Sequence, residues 1–220
     1  IVWVASISKR SPMILIGQYD SPFVRRVGIA LTLYGLEFEH RPWSVFGDAE
    51  KIAPFNPLIR VPTLVLDTGE ALIESHSILD CLDSLVPAER AMFPREEPAR
   101  HQALKVAALA TGLAEKAVSL FYEQRLHAHV SDVWVNRCKT QINATLAVLE
   151  ADRSARATEY WFGPSIGHAD IVVATMLRFV NEAHAGLVSM QDYPALNRHA
   201  TTLEALPAFQ SIKQEFIPPK

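Results

Sequence analysis

The sequence predicts a small α/β domain followed by an all-helical one. Two observations carry this. Short β-branched and aliphatic runs alternate with amphipathic helix patterns as far as Ile73, and beyond Pro87 long patterns rich in Ala and Leu follow with no convincing strand between them. A length of 220 residues suits two modest domains packed together.

The elements follow in order. Residues 14–17 (Ile-Leu-Ile-Gly) read as a buried strand, stopped by Asp20-Ser21-Pro22. Proline at the first helical position costs nothing, because the N–H it lacks would be unpaired there. Val24, Val27, Leu31 and Tyr34 then recur at helical spacing, which leaves Arg25 and Arg26 facing water, and Gly35 ends the helix. Residues 37–41 can be extended. After a loop holding Pro42, Gly47, Pro54 and Pro57, residues 61–66 form a strand that turns through 67–70 into Ala71-Leu72-Ile73, a hairpin. A helix over 75–85 places Ile78, Leu79, Leu82 and Leu85 on one face. The order β-α-β, then β-β-α, is the outline of a thioredoxin-like domain. Residues 90–98, with two prolines, are the candidate linker; helices follow over 96–125, 131–153, 169–185, 193–206 and 208–215.

Composition narrows the function. With 21 basic against 24 acidic residues, no strong field would draw in nucleic acid or an anionic membrane. No apolar run approaches the length of a membrane helix. Cys81 and Cys138 lie far apart and in no C-x-x-C pair, so neither a zinc site nor a disulfide framework is indicated, which fits a reducing cytoplasm. Met13, directly before the first strand, reads as a natural start, with residues 1–12 an extension outside the functional argument.

The candidate chemistry sits at the ends of the first domain's elements. Ser21 opens the first helix, where unpaired N–H groups and the helix dipole favour an anion. A free thiol has a pKa of about 8.5, and lowering it by about two units, roughly 2.7 kcal/mol, makes it mostly thiolate near neutral pH. A hydroxyl donating one hydrogen bond, helped by those N–H groups, is adequate for that. The competing reading is a simple helix cap. Val61-Pro62 opens the second strong strand, where proline leaves the Val61 backbone free for a peptide-like ligand, although such a pair taken alone favours the trans bond. Glu74-Ser75 opens the next helix: Ser75 could cap it, its N–H groups could hold a ligand carboxylate, and Glu74 could accept from an ammonium group. Arg60 offers a partner for a second carboxylate.

The runs GQYDSPFVRRVGIALTLYGLEFE and NPLIRVPTLVLDTGEALIESHSILDCLD closely resemble the glutathione-binding domain of cytosolic glutathione transferases, especially bacterial and plant members with serine in S-P-F-x-R, and the helical remainder is similar to their second domain. The resemblance implies a thioredoxin-like glutathione-binding domain over 13–88, a linker over 89–97 and a helical second-substrate domain over 98–220. It implies that Ser21 activates the glutathione sulfur and Phe23 shapes the thiol pocket. Arg60 would contact the glycine end, Val61 would pair its backbone with the cysteinyl part, Pro62 would be cis, and Glu74 and Ser75 would hold the γ-glutamyl group. It further implies a cytoplasmic homodimer, no metal, and an apolar electrophile or a peroxide as second substrate, with Trp43, Phe46, Phe121 and Tyr122 as candidate lining or core aromatics. Two positions depart from the family pattern. Gly167 replaces the Ser or Thr of a capping box completed by Asp170, and Thr111 stands where some relatives carry an aspartate that reaches across the dimer. A thiol-disulfide oxidoreductase of the same fold would need cysteine where Ser21 stands. A non-catalytic binding or assembly module of this fold is the alternative of a different class.

Overall fold

The apolar run MILI becomes β1 (Met13–Ile16), one of the two inner strands of the sheet; Leu15 and Ile16 are wholly buried, as an unbroken aliphatic run in a two-sided sheet requires. A computed structural model describes residues 12–218 of the chain; the expected extension, apart from Pro12, lies outside the described residues. β1 pairs in parallel with β2 (Phe38–Arg41), from Met13 opposite Phe38 to Ile16 opposite Arg41. It pairs antiparallel with β3 (Thr63–Val65), which pairs antiparallel with β4 (Ala71–Ile73), for a sheet order β2-β1-β3-β4. A parallel neighbour demands a crossover, and α1 (Pro22–Tyr34) supplies it. Gly35, at φ 70°, ends α1 with the Gly35 N–H on Thr32 O and the Leu36 N–H on Leu31 O.

Arg25 and Arg26 do not face water. Their exposures are 2% and 0% because α1 is covered on both sides, by the sheet and by helices from the far end of the chain. Arg25 donates to Glu204 Oε1 and Oε2 (2.5 and 2.7 Å), Ile212 O (2.8 Å) and Phe209 O (3.0 Å). Among the described residues, Arg26 donates only to Ser75 Oγ, at 3.4 Å.

The segment read as a plain loop contains a four-residue helix, α2 (Ala49–Ile52), too short to show a period. α3 (Ser75–Ser84) begins as expected, but Ser75 is its first helical residue rather than its cap; Glu74 precedes it at φ 66°, and no side chain caps the helix. Then come α4 (Ala99–Leu126), α5 (Asp132–Ser154), α6 (His168–Ala183), α7 (Pro194–Glu204) and α8 (Pro207–Ser211). α8 is shorter than the expected 208–215, because the chain turns back toward α1, where Gln214 Oε1 accepts the Tyr19 N–H at 3.2 Å.

α6 is buried on nearly every side and packs against α1, α4 and α7. The glycine at its start has a physical reason: a Cβ on Gly167 would stand 3.0 Å from Met92 O, the carbonyl that takes the His168 N–H. Asp170 still accepts the Gly167 N–H at 2.8 Å and the Trp161 N–H at 2.7 Å. Asp83 knots the two halves, accepting from the Tyr34 hydroxyl, His168 Nε2 (2.8 Å), Phe93 N–H (3.0 Å) and Met92 N–H (3.3 Å). The Thr111 hydroxyl donates to Ala107 O in its own helix (2.9 Å). Cys81 and Cys138 are both free thiols. Among the described residues no helix is long and apolar enough to cross a membrane.

Candidate functional site

The site begins where β1 gives way to α1. Gly17 sits at φ 126°, and a Cβ there would meet Val24 Cγ2 at 2.5 Å and Val61 Cβ at 2.8 Å, so glycine lets the strand end, the first turn of α1 and the Val61 loop close on one another. Ser21 follows as N-cap, its Oγ accepting the Val24 N–H at 3.4 Å. This contact uses a lone pair and leaves the hydroxyl proton free to point at a ligand, so capping and thiolate stabilisation are compatible.

The facing loop is held by a residue that sequence reasoning passed over. Asn56, 1% exposed, donates from Nδ2 to Arg60 O (2.9 Å) and Thr63 Oγ1 (3.1 Å) and accepts the Leu58 N–H (3.0 Å). The signal was available: Asn-Pro is a turn pair, and asparagine is the residue that ties its own backbone two positions on. The loop it fixes carries Ile59 at φ 51° and a cis Val61-Pro62 bond, against the trans form that the pair alone favours. Glu74, across the cleft, is also in the left-handed region at φ 66°. Two non-glycine residues held there, at about 1–3 kcal/mol each, mark a place where the surroundings impose the backbone.

The structure brings all the expected residues together. Phe23, Arg60, Val61, Pro62, Glu74 and Ser75 line one small pocket, and Phe23, Arg60 and Val61 also line a larger cleft of about 1290 Å³ onto which Ser21 opens. Arg60 Nη1 and Glu74 Oε1 lie 3.0 Å apart across the small pocket, both side chains more than half exposed, so the pair is easily parted. Ser75 is buried and accepts from Arg26. Burial pushes the Arg26 guanidinium down to about 9, and its Nε and Nη2 have no partner among the described residues. An underused cation thus stands directly behind the pocket floor. Cys81 lies on α3, outside both pockets.

Two family models match the chain: the glutathione S-transferase N-terminal domain over residues 15–90 and the C-terminal domain over 132–201. A GST-like protein of Escherichia coli K12, YibF, is 35% identical over 139 residues, covering 63% of this chain and 68% of its own. The chain belongs to the glutathione S-transferase family. Among solved members, a glutathione S-transferase of Methylobacterium radiotolerans in complex with glutathione sulfonate has a TM-score of 0.87 at 26% identity, over 96% of this chain and 98% of its own. One from Methylobacillus flagellatus with glutathione bound has a TM-score of 0.83 at 25% identity, over 91% and 98%.

In this transferase the larger cleft continues away from Ser21 between the β2–α2 loop and α4. Trp43, Phe46, Phe121 and Tyr122 all line it. Phe46 meets Tyr122 edge to face at 5.5 Å, and Phe121 meets Phe216 at 5.2 Å. The last described residues close one end: Phe216 also packs on Phe179, and the Ile217 N–H donates to Asp20 Oδ2 at 3.1 Å. Among the described residues no cluster of three or more His, Cys, Asp or Glu is placed to hold a metal ion.

Proposed function

We propose that this transferase binds glutathione along the small pocket with its sulfur beside Ser21, and passes the thiolate to an electrophile held in the larger cleft. The observation that carries the reading is the convergence of Phe23, Arg60, Val61, Pro62, Glu74 and Ser75, from three separate elements, on one pocket that adjoins Ser21. Glutathione needs an anion site at each end, a donor at the sulfur and a backbone partner between them. Ser75, backed by Arg26, suits the γ-glutamyl carboxylate, and Glu74 suits its ammonium group. The Val61 backbone suits the cysteinyl amide, and Arg60, released from Glu74, suits the glycine carboxylate. Ser21 and the N-terminus of α1 lower the thiol pKa, so that the thiol proton leaves to solvent on binding.

Residues 13–88 then form the glutathione domain, 89–97 the linker and 98–220 the second-substrate domain. The electrophilic centre is a carbon or a peroxide oxygen, and family membership supports a homodimer working in the cytoplasm without a metal.

Calorimetry with S-methylglutathione and with its fragment S-methylcysteinylglycine tests the binding mode. Loss of the γ-glutamyl contacts should weaken binding by more than about a hundredfold, the equivalent of two charge-assisted hydrogen bonds at about 1.5 kcal/mol or more each. Equal affinities would remove Glu74 and Ser75 from the site.

A further inference from the structure

We propose that Asp20 and Glu115 make the cleft beside Ser21 discriminate against electrophiles that carry a carboxylate. The inference rests on the transferase reading and names the substrate class of that same site.

The walls of the cleft are aromatic, but its charged groups are nearly all of one sign. Among the described residues, Asp20, Glu115 and Glu123 line it against a single arginine, Arg60, whose guanidinium faces Glu74 in the free protein and is taken up by the glycine carboxylate once glutathione binds. His127 also lines it, with Nδ1 2.8 Å from Glu123 Oε2, so the ring is taken up by a carboxylate. Lys116 on α4 does not line the cleft and stacks over the Trp134 ring at 5.7 Å.

The acids hold different positions. Glu123 is structural, its Oε1 taking the Ser131 N–H at 2.7 Å to anchor the loop before α5. Asp20 directly precedes Ser21, and its carboxylate takes the Ile217 N–H but has no cation partner among the described residues. Glu115 is exposed on the α4 wall and makes neither a hydrogen bond nor an ion pair with another described residue. An anionic electrophile would meet these fields together with the thiolate it must approach. Two unit charges roughly 8 Å apart at an effective dielectric of about 40 interact by about 1 kcal/mol, or about fivefold in rate for each carboxylate. A flat uncharged ring meets none of that and gains the aromatic faces of Phe46 and Tyr122.

The test pairs 1-chloro-2,4-dinitrobenzene with 4-chloro-3,5-dinitrobenzoate, each kcat/KM being divided by its own uncatalysed rate with glutathione. In both, the thiolate sulfur forms the new C–S bond, the C–Cl bond breaks and chloride leaves with the electron pair. The neutral compound should be favoured by about twenty-five-fold, the combined effect of the two carboxylates, because the repulsion from the thiolate is also present in the uncatalysed reaction and divides out. Asp20→Asn, which keeps an oxygen for Ile217, and Glu115→Gln should each return about fivefold of that ratio, and added salt should narrow it. Conjugation of both compounds with equal preference, or a ratio unmoved in both variants, would overturn the selection while leaving the transferase reading standing. Conjugation of neither would overturn both.

Discussion

Replacing Ser21 with alanine separates the two things its hydroxyl does. The oxygen accepts the Val24 N–H at 3.4 Å, a long cap, and the proton remains for the glutathione sulfur. Loss of the cap should cost about 0.5–1 kcal/mol, or about 1–2 °C in Tm for a chain of this size. A hydrogen bond to a charged group contributes about 1.5–3 kcal/mol, so its loss raises the bound thiol pKa by about one to two units. Well below both pKa values, kcat/KM with a chromogenic electrophile should fall about ten- to hundredfold, and the deficit should close as the pH rises past them. Affinity for S-methylglutathione, which has no thiol to ionise, should barely change. Coincident pH profiles for the two proteins would refute the role given to Ser21, and a fall in Tm of ten degrees or more would assign the hydroxyl to folding instead.

Arg26→Met removes a buried cation whose one hydrogen bond is the long contact to Ser75, so the free protein should keep or gain Tm while KM for glutathione rises about tenfold; an unchanged KM would detach Arg26 from the pocket. Arg25→Met leaves Glu204 and two carbonyls without their main donor, and should cost about 3 kcal/mol, near 6 °C in Tm, with less than 1 °C arguing that the clamp contributes nothing. His168 and Asp83 predict acid lability in two stages, read from Tm against pH. Burial holds His168 below its ordinary 6.5, so as the pH falls through that value the unfolded chain gains a proton that the folded one refuses, and stability drops. Burial pushes Asp83 up, but hydrogen bonds from His168 and Tyr34 outweigh it and leave the carboxyl below its ordinary 3.8, so a second loss begins only as the pH falls through the carboxylate range. His168→Gln should flatten the first stage and, by removing the imidazole that helps hold Asp83 down, start the second at a higher pH.

What the sequence made legible was what neighbouring residues decide. β1, the β3–β4 hairpin, α3 and the long helices each announce themselves by a period, a proline or a glycine within a dozen positions. The pocket residues were legible too, because each stands at the end of such an element, and a β-α-β, β-β-α order converges those ends. Arg25 and Arg26 were misread because what covers α1 comes from α6, α7 and α8, well over a hundred residues later; local periodicity cannot say that both faces will be buried. Ser75 was read as a possible cap, whereas the helix begins at Ser75 itself after a left-handed turn at Glu74, a conformation a glutamate does not announce in sequence. The closing of the cleft by Phe216 and Ile217 depends on an irregular tail without any period.

The central claim, that this cleft takes glutathione and ionises its thiol, is met most directly by titrating glutathione calorimetrically near pH 6.5 in two buffers of different ionisation enthalpy. The difference in heat counts the protons released. The geometry at Ser21 predicts binding with close to one proton released per site, and binding with none released would contradict it.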